Sequence, residues 1–113
     1  MATTVKRFAN TIEHHESTAL AAADDAFEVS CHSDNYTFFL KSTGAAEFVV
    51  ALEMSAAGAA SDYFAIDTNK TISAAGNYDF SYTGIPAGRV RCRIVSVTSG
   101  TPDLEPQIVV RYP

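Results

Sequence analysis

The chain has no Trp, only two Cys and two Met, and only eight Lys and Arg among its 113 residues. Those eight cations stand against thirteen Asp and Glu, a net charge of −5, which is the wrong sign for a protein that binds by neutralising phosphates. Nucleic acid is therefore excluded as a partner. No uncharged apolar run approaches the roughly eighteen residues of a membrane span, so no membrane partner is expected. The opening MATTVKRF is followed by no apolar h-region, and the chain is expected to stay in the cell that makes it. On that reading, the acceptor patterns Asn35-Tyr36-Thr37 and Asn69-Lys70-Thr71 are chance matches. Disorder is excluded by a hydrophobic content of 47%, although 18 of those residues are Ala. One soluble domain with an adequate but thin core of Val, Phe and Tyr is expected, supplemented by contacts with other subunits.

Catalytic and ligand motifs are missing as well. There is no GxSxG elbow, phosphate-cradling Gly-rich loop, HExxH pair or acidic calcium loop. The expectation is a protein that is not an enzyme and has no cofactor, no catalytic residues and no metal. Cys31 and Cys92 stand at the separation of the bridge between the sheets of an immunoglobulin domain. No Trp is present to pack on such a bridge, and Val90 occupies the place of the tyrosine-corner residue. Two buried free thiols is the favoured reading, with a disulfide as the alternative.

What the sequence does contain is short alternation. Phe27, Val29 and Cys31 alternate with Glu28, Ser30 and His32, and Tyr36, Phe38 and Leu40 share one face. Phe48, Val50, Leu52 and Met54 follow after 42–44, which reads as a hairpin turn. The small, low-complexity residues 55–61 read as a loop. Short strands are expected at 63–66 and 71–73, followed by one in which Tyr78, Phe80 and Tyr82 alternate with Asp79 and Ser81. Residues 83–88, with two Gly and Pro86, break the chain. The next strand, 89–98, changes apolar phase from Ile94 to Val95, which predicts a β-bulge near Ile94 or a strand whose second half is covered on its other face. Residues 100–106 read as a loop, and 107–112 as the last strand. Together these give an all-β fold, an antiparallel β-sandwich of about eight strands of the jelly-roll or immunoglobulin-like kind, occupying residues 27–113.

Residues 1–26 differ. Val5, Phe8 and Ile12 are isolated apolar residues in a polar context, and an Ala-rich stretch follows. An extended N-terminal arm or edge strand is expected, with a short helix over 19–26 as the alternative. Extended, residues 1–13 span about 40 Å, enough to reach a neighbouring subunit.

Three groups of side chains are candidates for function. Arg89, Arg91 and Arg93 fall on one face of a strand, forming a stripe that faces solvent or a subunit interface, or else an acidic partner. Glu13, His14, His15 and Glu16 are the one His and carboxylate cluster. Adjacent His residues on a strand point to opposite faces, which favours a solvated polar segment over a metal site, with a charge that changes below a pH of about 6.5. Tyr63, Tyr78 and Tyr82 are either core residues with hydroxyls at the rim or a platform for a sugar ring.

The run GNYDFSYTGIPAGRVRCRI followed by VSVTSGTPDLEPQIVVRY resembles the C-terminal half of small β-sandwich proteins of tailed bacteriophage particles. Those proteins show a Gly-x-Tyr-x-Phe strand, a Gly-Ile-Pro-Ala turn and an Arg-rich strand. The resemblance covers about the last 40 residues and departs from several relatives in lacking Trp. It implies a virion structural protein, a capsid decoration or cement protein made in the host cytoplasm and carried on the capsid surface. Its partners would be the major capsid protein and further copies of itself, as a homotrimer. On this reading Val5, Phe8 and Ile12 anchor the arm to a neighbour by strand addition, while Lys6 and Arg7 set register. A tail, neck or baseplate component of such a particle, and a carbohydrate-binding or adhesion module, are the alternatives.

Overall fold

In the computed structural model, which describes residues 3–16, 18–56 and 62–113, the alternating runs form eight strands. They are β1 (Thr3–Phe8), β2 (Thr11–Glu16), β3 (Ala26–Ser42), β4 (Glu47–Ser55), β5 (Phe64–Ala65), β6 (Lys70–Ile72), β7 (Gly76–Ser99) and β8 (Leu104–Arg111). All join one antiparallel sheet in the order β1-β2-β8-β3-β7-β4-β5, with β6 also on β4. There is no helix among the described residues, and over 19–26 the chain makes turns and a single backbone bridge from Leu20 to Leu104. Residues 3–16, expected as an arm or edge strand, form a hairpin whose second strand, β2, pairs with β8.

Expectations drawn from local turn chemistry need correction in three places. Residues 42–44 do not close a hairpin, because β7 lies between β3 and β4 and pairs with both. The link instead passes the far end of β7, where a Cβ on Gly100 (φ +71°) would sit 3.1 Å from the Ala46 Cα. Residues 83–88 do not end a strand, since β7 runs through them. Nor is all of 100–106 a loop: β8 begins at Leu104 and carries Pro106 opposite Leu40. Pairing of β8 with β2 involves only residues from Gln107 onward, so Pro106 sits where β8 has one neighbouring strand, a position that tolerates a missing N–H. The loop expected over 55–61 begins later, after Ser55 at the end of β4, and residues 57–61 lie outside the described residues.

The sheet must fold over. At about 3.3 Å per residue the 24 residues of β7 would extend about 75 Å. The longest dimension of the molecule is 40 Å. The bend coincides with two register shifts between β3 and β7. Cys31 and His32 together oppose Gly88, and His32 takes φ 52°, a left-handed value that His adopts more readily than most residues. One step further, Gly84, Ile85 and Pro86 oppose the single residue Asp34, with Gly84 at φ 78°. The Gly and Pro residues of this stretch therefore make a corner within a strand. A third irregularity lies where the phase change predicts one: Val49 pairs with Ser96 and Val50 with Ile94, leaving Val95 as the extra residue.

Beyond the corner the partners change. Residues 35–42 of β3 lie between β8 and residues 76–83 of β7, whereas residues 89–99 of β7 pair with β4. Both halves turn their apolar phase to the same interior. Tyr36, Phe38, Leu40, Ile108 and Val110 from one half form a single cluster with Phe27, Phe48, Val50, Leu52, Val90, Cys92 and Ile94 from the other. Tyr78, Phe80 and Tyr82 are half-buried against it. Tyr36 is fully buried, and its hydroxyl donates to the Ile85 carbonyl at 3.0 Å, tying the core to the corner. Cys31 and Cys92 are buried and unbonded to each other, and burial raises their thiol pKa values to about 11 and about 12, so both are protonated and unreactive at neutral pH.

Leu20 closes one end of this interior. It is fully buried, and its N–H and C=O exchange hydrogen bonds of 2.8 and 3.1 Å with Leu104. The turn beyond it is fixed by Asp25, whose carboxylate accepts from the N–H groups of Ala21 and Ala22. Leu20→Ala should destabilise the whole domain by about 2–5 kcal/mol, as expected for a buried Leu. Urea unfolding is the measurement, and a change near zero would mean that the segment is not part of the cooperative fold.

Candidate functional site

The β1–β2 hairpin forms at 11–16 because β2 finds the open side of β8, with Ile12 opposite Val110 and His14 opposite Ile108. The turn at Ala9 and Asn10 is tied down by the Tyr112 N–H, which donates to the Asn10 carbonyl at 2.8 Å. β1 then pairs with β2, and its other side has no partner strand among the described residues. Of the five residues expected to engage a partner, Val5, Lys6, Arg7 and Phe8 lie exposed on this outermost strand. Val5 and Phe8 are 46% and 59% exposed. Ile12 is half-buried, one strand further in.

His14 and His15 point to opposite faces. His15 contacts the Glu13 carboxylate at 3.1 Å, while the buried His14 Nε2 meets no hydrogen-bond partner. His14 shares its face with Val5 on β1 and Ile108 on β8, with Arg7 nearby. Burial, then Arg7 and then His15 hold its pKa below 6.5. Glu16, on the same strand, is buried and accepts from the Thr18 N–H. Among the described residues no three His, Cys, Asp or Glu side chains are grouped to hold a metal ion.

The Arg stripe lies on the outer face of the other half, and its acidic partners come from its own neighbouring strands. Arg91 is opposite Glu28 on β3 and Glu53 on β4. Its Nε donates to Glu53 Oε1 at 2.7 Å, and Arg93 donates to both Glu53 oxygens, at 3.2 and 3.4 Å. Arg93 also reaches Asp24 at 3.4 Å, and Arg89 reaches Glu28 at 3.8 Å. Tyr63 covers the stripe, with the Arg91 guanidinium 3.9 Å from its ring centroid and its hydroxyl donating to Glu28 at 2.7 Å. Three cations thus face three carboxylates of the same chain. Burial would raise the Glu53 pKa, but hydrogen bonds from Arg93 and Arg91 prevail and hold it below the usual carboxylate value.

No tyrosine platform is assembled. Tyr63 belongs to the Arg face, whereas Tyr78 and Tyr82 pack against the core. Their hydroxyls are engaged, Tyr78 with the Ala74 carbonyl at 2.8 Å and Tyr82 with Asp67 at 3.0 Å. The roles of Glu28, Glu53 and Tyr63 escaped the sequence reading. Both Glu residues occupy polar-phase strand positions, a signal of exposure that does not reveal which Arg stands opposite.

Two outcomes follow from these contacts. The unfolded chain binds a proton on His14 that the folded hairpin resists, so the hairpin keeps its full stability above pH 6.5 and loses it as the pH falls below that value. Amide exchange in β1 and β2 should accelerate on acidification, and His14→Leu should remove that response. Glu53→Gln should lower stability by about 2 kcal/mol, because Arg91 and Arg93 lose a charged acceptor. Since the Glu53 pKa is depressed, its contribution is present above pH 4.5 and declines at lower pH. Chemical denaturation of the wild type and Glu53→Gln across that range would show the difference shrinking, and a constant difference would contradict the assignment.

Neither protein-family models nor curated proteins give a match to this chain.

Proposed function

We propose that this chain is a structural protein of a tailed-phage virion, a capsid decoration protein that binds the assembled shell and stabilises it. In this reading the folded-over sheet is a β-sandwich of the jelly-roll or immunoglobulin-like kind, the major capsid protein is the partner, and copies assemble as a homotrimer on the capsid surface. The observation that carries the proposal is the side of β1 that has no partner strand among the described residues. β1 is a six-residue strand with two exposed apolar side chains and two cations, on a molecule of net charge −5. Such an edge invites strand addition, with Val5 and Phe8 available as anchors and Lys6 and Arg7 favouring an acidic neighbour. The resemblance of residues 76–112 to phage sandwich proteins supports the class of particle.

The opposite end of the sheet is a poor candidate for the same role. There β4 is flanked by β5 and β6, of two and three residues, and short edge strands discourage pairing with another chain. Ile12 acts within the molecule, holding the hairpin against Val110. A decoration protein that binds only the mature shell stabilises it by mass action, since disassembly must also break its contacts.

The test removes residues 1–9, a cut that leaves β2 and the Asn10 contact in place, alongside a Val5→Ser, Phe8→Ser double variant of the full chain. Cosedimentation with shells built from the same phage's major capsid protein should show at least about tenfold weaker binding for both, as expected when about 1.4 kcal/mol is lost. Their unfolding midpoints should stay close to that of the wild type. Undiminished binding by both variants would reject β1 as the docking strand. Failure of the full chain to bind shells would reject the decoration role itself.

A further inference from the structure

A second surface lies on the outer face of the half that carries β8, β3 and the first part of β7. Across these strands the register brings His15, Gln107, Phe39 and Asp79 into one row, and Glu105, Lys41 and Asn77 into the next. Phe39 is 37% exposed although it sits in an inner strand of the sheet, and it stands between two shallow depressions. Each measures about 380 Å³, and Phe39 and Gln107 line both. The first is bordered by Asn77, Asp79 and Glu105, the second by Glu13 and Arg111.

The chemistry of this face is distinctive on a chain of net charge −5. Its strands β2, β3, β7 and β8 present three carboxylates, Glu13, Asp79 and Glu105, against two cations, Lys41 and Arg111, and Lys41 and Glu105 are cross-strand neighbours. A face with charges of both signs and one carboxylate in excess has no strong field to steer polyanions or polycations. It offers amides and carboxylates, which between them donate and accept, around a single aromatic ring. Depressions of this size fall at the small-ligand end of the usual range of about 300–1,000 Å³.

We infer that this face is a carbohydrate-binding site for uncharged sugar chains. Phe39 stacks against the apolar C–H face of one ring, while Gln107, Asp79 and Asn77 exchange hydrogen bonds with its hydroxyls. The neighbouring depression, on the other side of Phe39, takes the next ring. The fit lies in charge and hydrogen-bonding capacity: a sugar ring combines an apolar face with a rim of paired donors and acceptors, and it carries no charge for the carboxylates or cations of this surface to oppose. A protein partner fits less well, because interface centres are depleted in charged residues, and this face holds five around Phe39. The inference is separate from shell docking through β1 and stands or falls without it.

The experiment is an NMR titration of the isotope-labelled full chain with neutral oligosaccharides of glucose, mannose and galactose at millimolar concentration. Saturable shifts should appear at residues 39, 77, 79 and 107 with at least one of the three. Phe39→Ala and Asp79→Asn should each weaken that binding by about tenfold or more, the scale of one lost stacking or charged hydrogen bond. The chain lacking residues 1–9 should bind as the full chain does, which separates this site from the docking strand. Absence of shifts with all three sugars overturns the assignment, as do shifts confined to other residues or undiminished binding by both variants. So does a silent titration in which Phe39→Ala nonetheless lowers shell binding, an outcome that would make this face a protein contact.

Discussion

The pairing of β3 with β7 is the constraint on which the rest of the molecule depends. These are the two longest strands, and they stay partnered across a corner at which neither can continue straight. The corner is built from backbone chemistry. Gly84 takes positive φ, Pro86 gives up a donor, and His32 accepts a left-handed conformation so that two residues can oppose one. Because both strands turn together, the apolar phase of each half faces the same interior. A domain rich in Ala and without Trp thereby buries Phe27, Phe38, Phe48, Tyr36 and all four Leu residues in one cluster. Tyr36 joins core and corner, with its ring among Phe38 and Tyr82 and its hydroxyl on Ile85.

With the interior organised this way, the two outer faces acquire different characters. On one, three Arg side chains at alternate positions are matched by Glu53, Glu28 and Asp24 and covered by Tyr63. Its charges are spent within the molecule, and its role is to hold β3, β7 and β4 in register. On the other, charges of both signs are interspersed, and Phe39 stands open between polar neighbours. The outer edge of β1, which has no partner strand among the described residues, adds a third kind of surface, one that offers backbone groups. A small molecule that docks on a shell by its edge leaves a sheet face free for a second ligand, and the two proposals fit together on that ground.

Much of this was legible in the alternation of residues. The strands at 27–31, 36–41, 47–54, 78–82 and 107–112 follow from a period of two, which places every second side chain on one face whatever the partner strand. Even the irregularity at Val95 is visible, since an extra residue in a strand shifts its apolar phase by one position. The exposed Val5 and Phe8 stood out for the same reason, as apolar residues without a phase. The Arg stripe was legible as a stripe, but the ion pairs that occupy it were not.

Local alternation by itself determined the strands at 27–31, 36–41, 47–54, 78–82 and 107–112 and which of their side chains point inward. The tertiary structure alone decided who neighbours whom: that β7 separates β3 from β4, that β2 pairs with β8, that Leu20 seals against Leu104, and that Glu53 receives Arg91 and Arg93. The reason is that a strand's backbone donors and acceptors are the same at every residue except Pro, so they specify no partner. Partners are chosen by burying all the apolar faces in one interior at once, a condition on the whole chain that no short stretch of it contains.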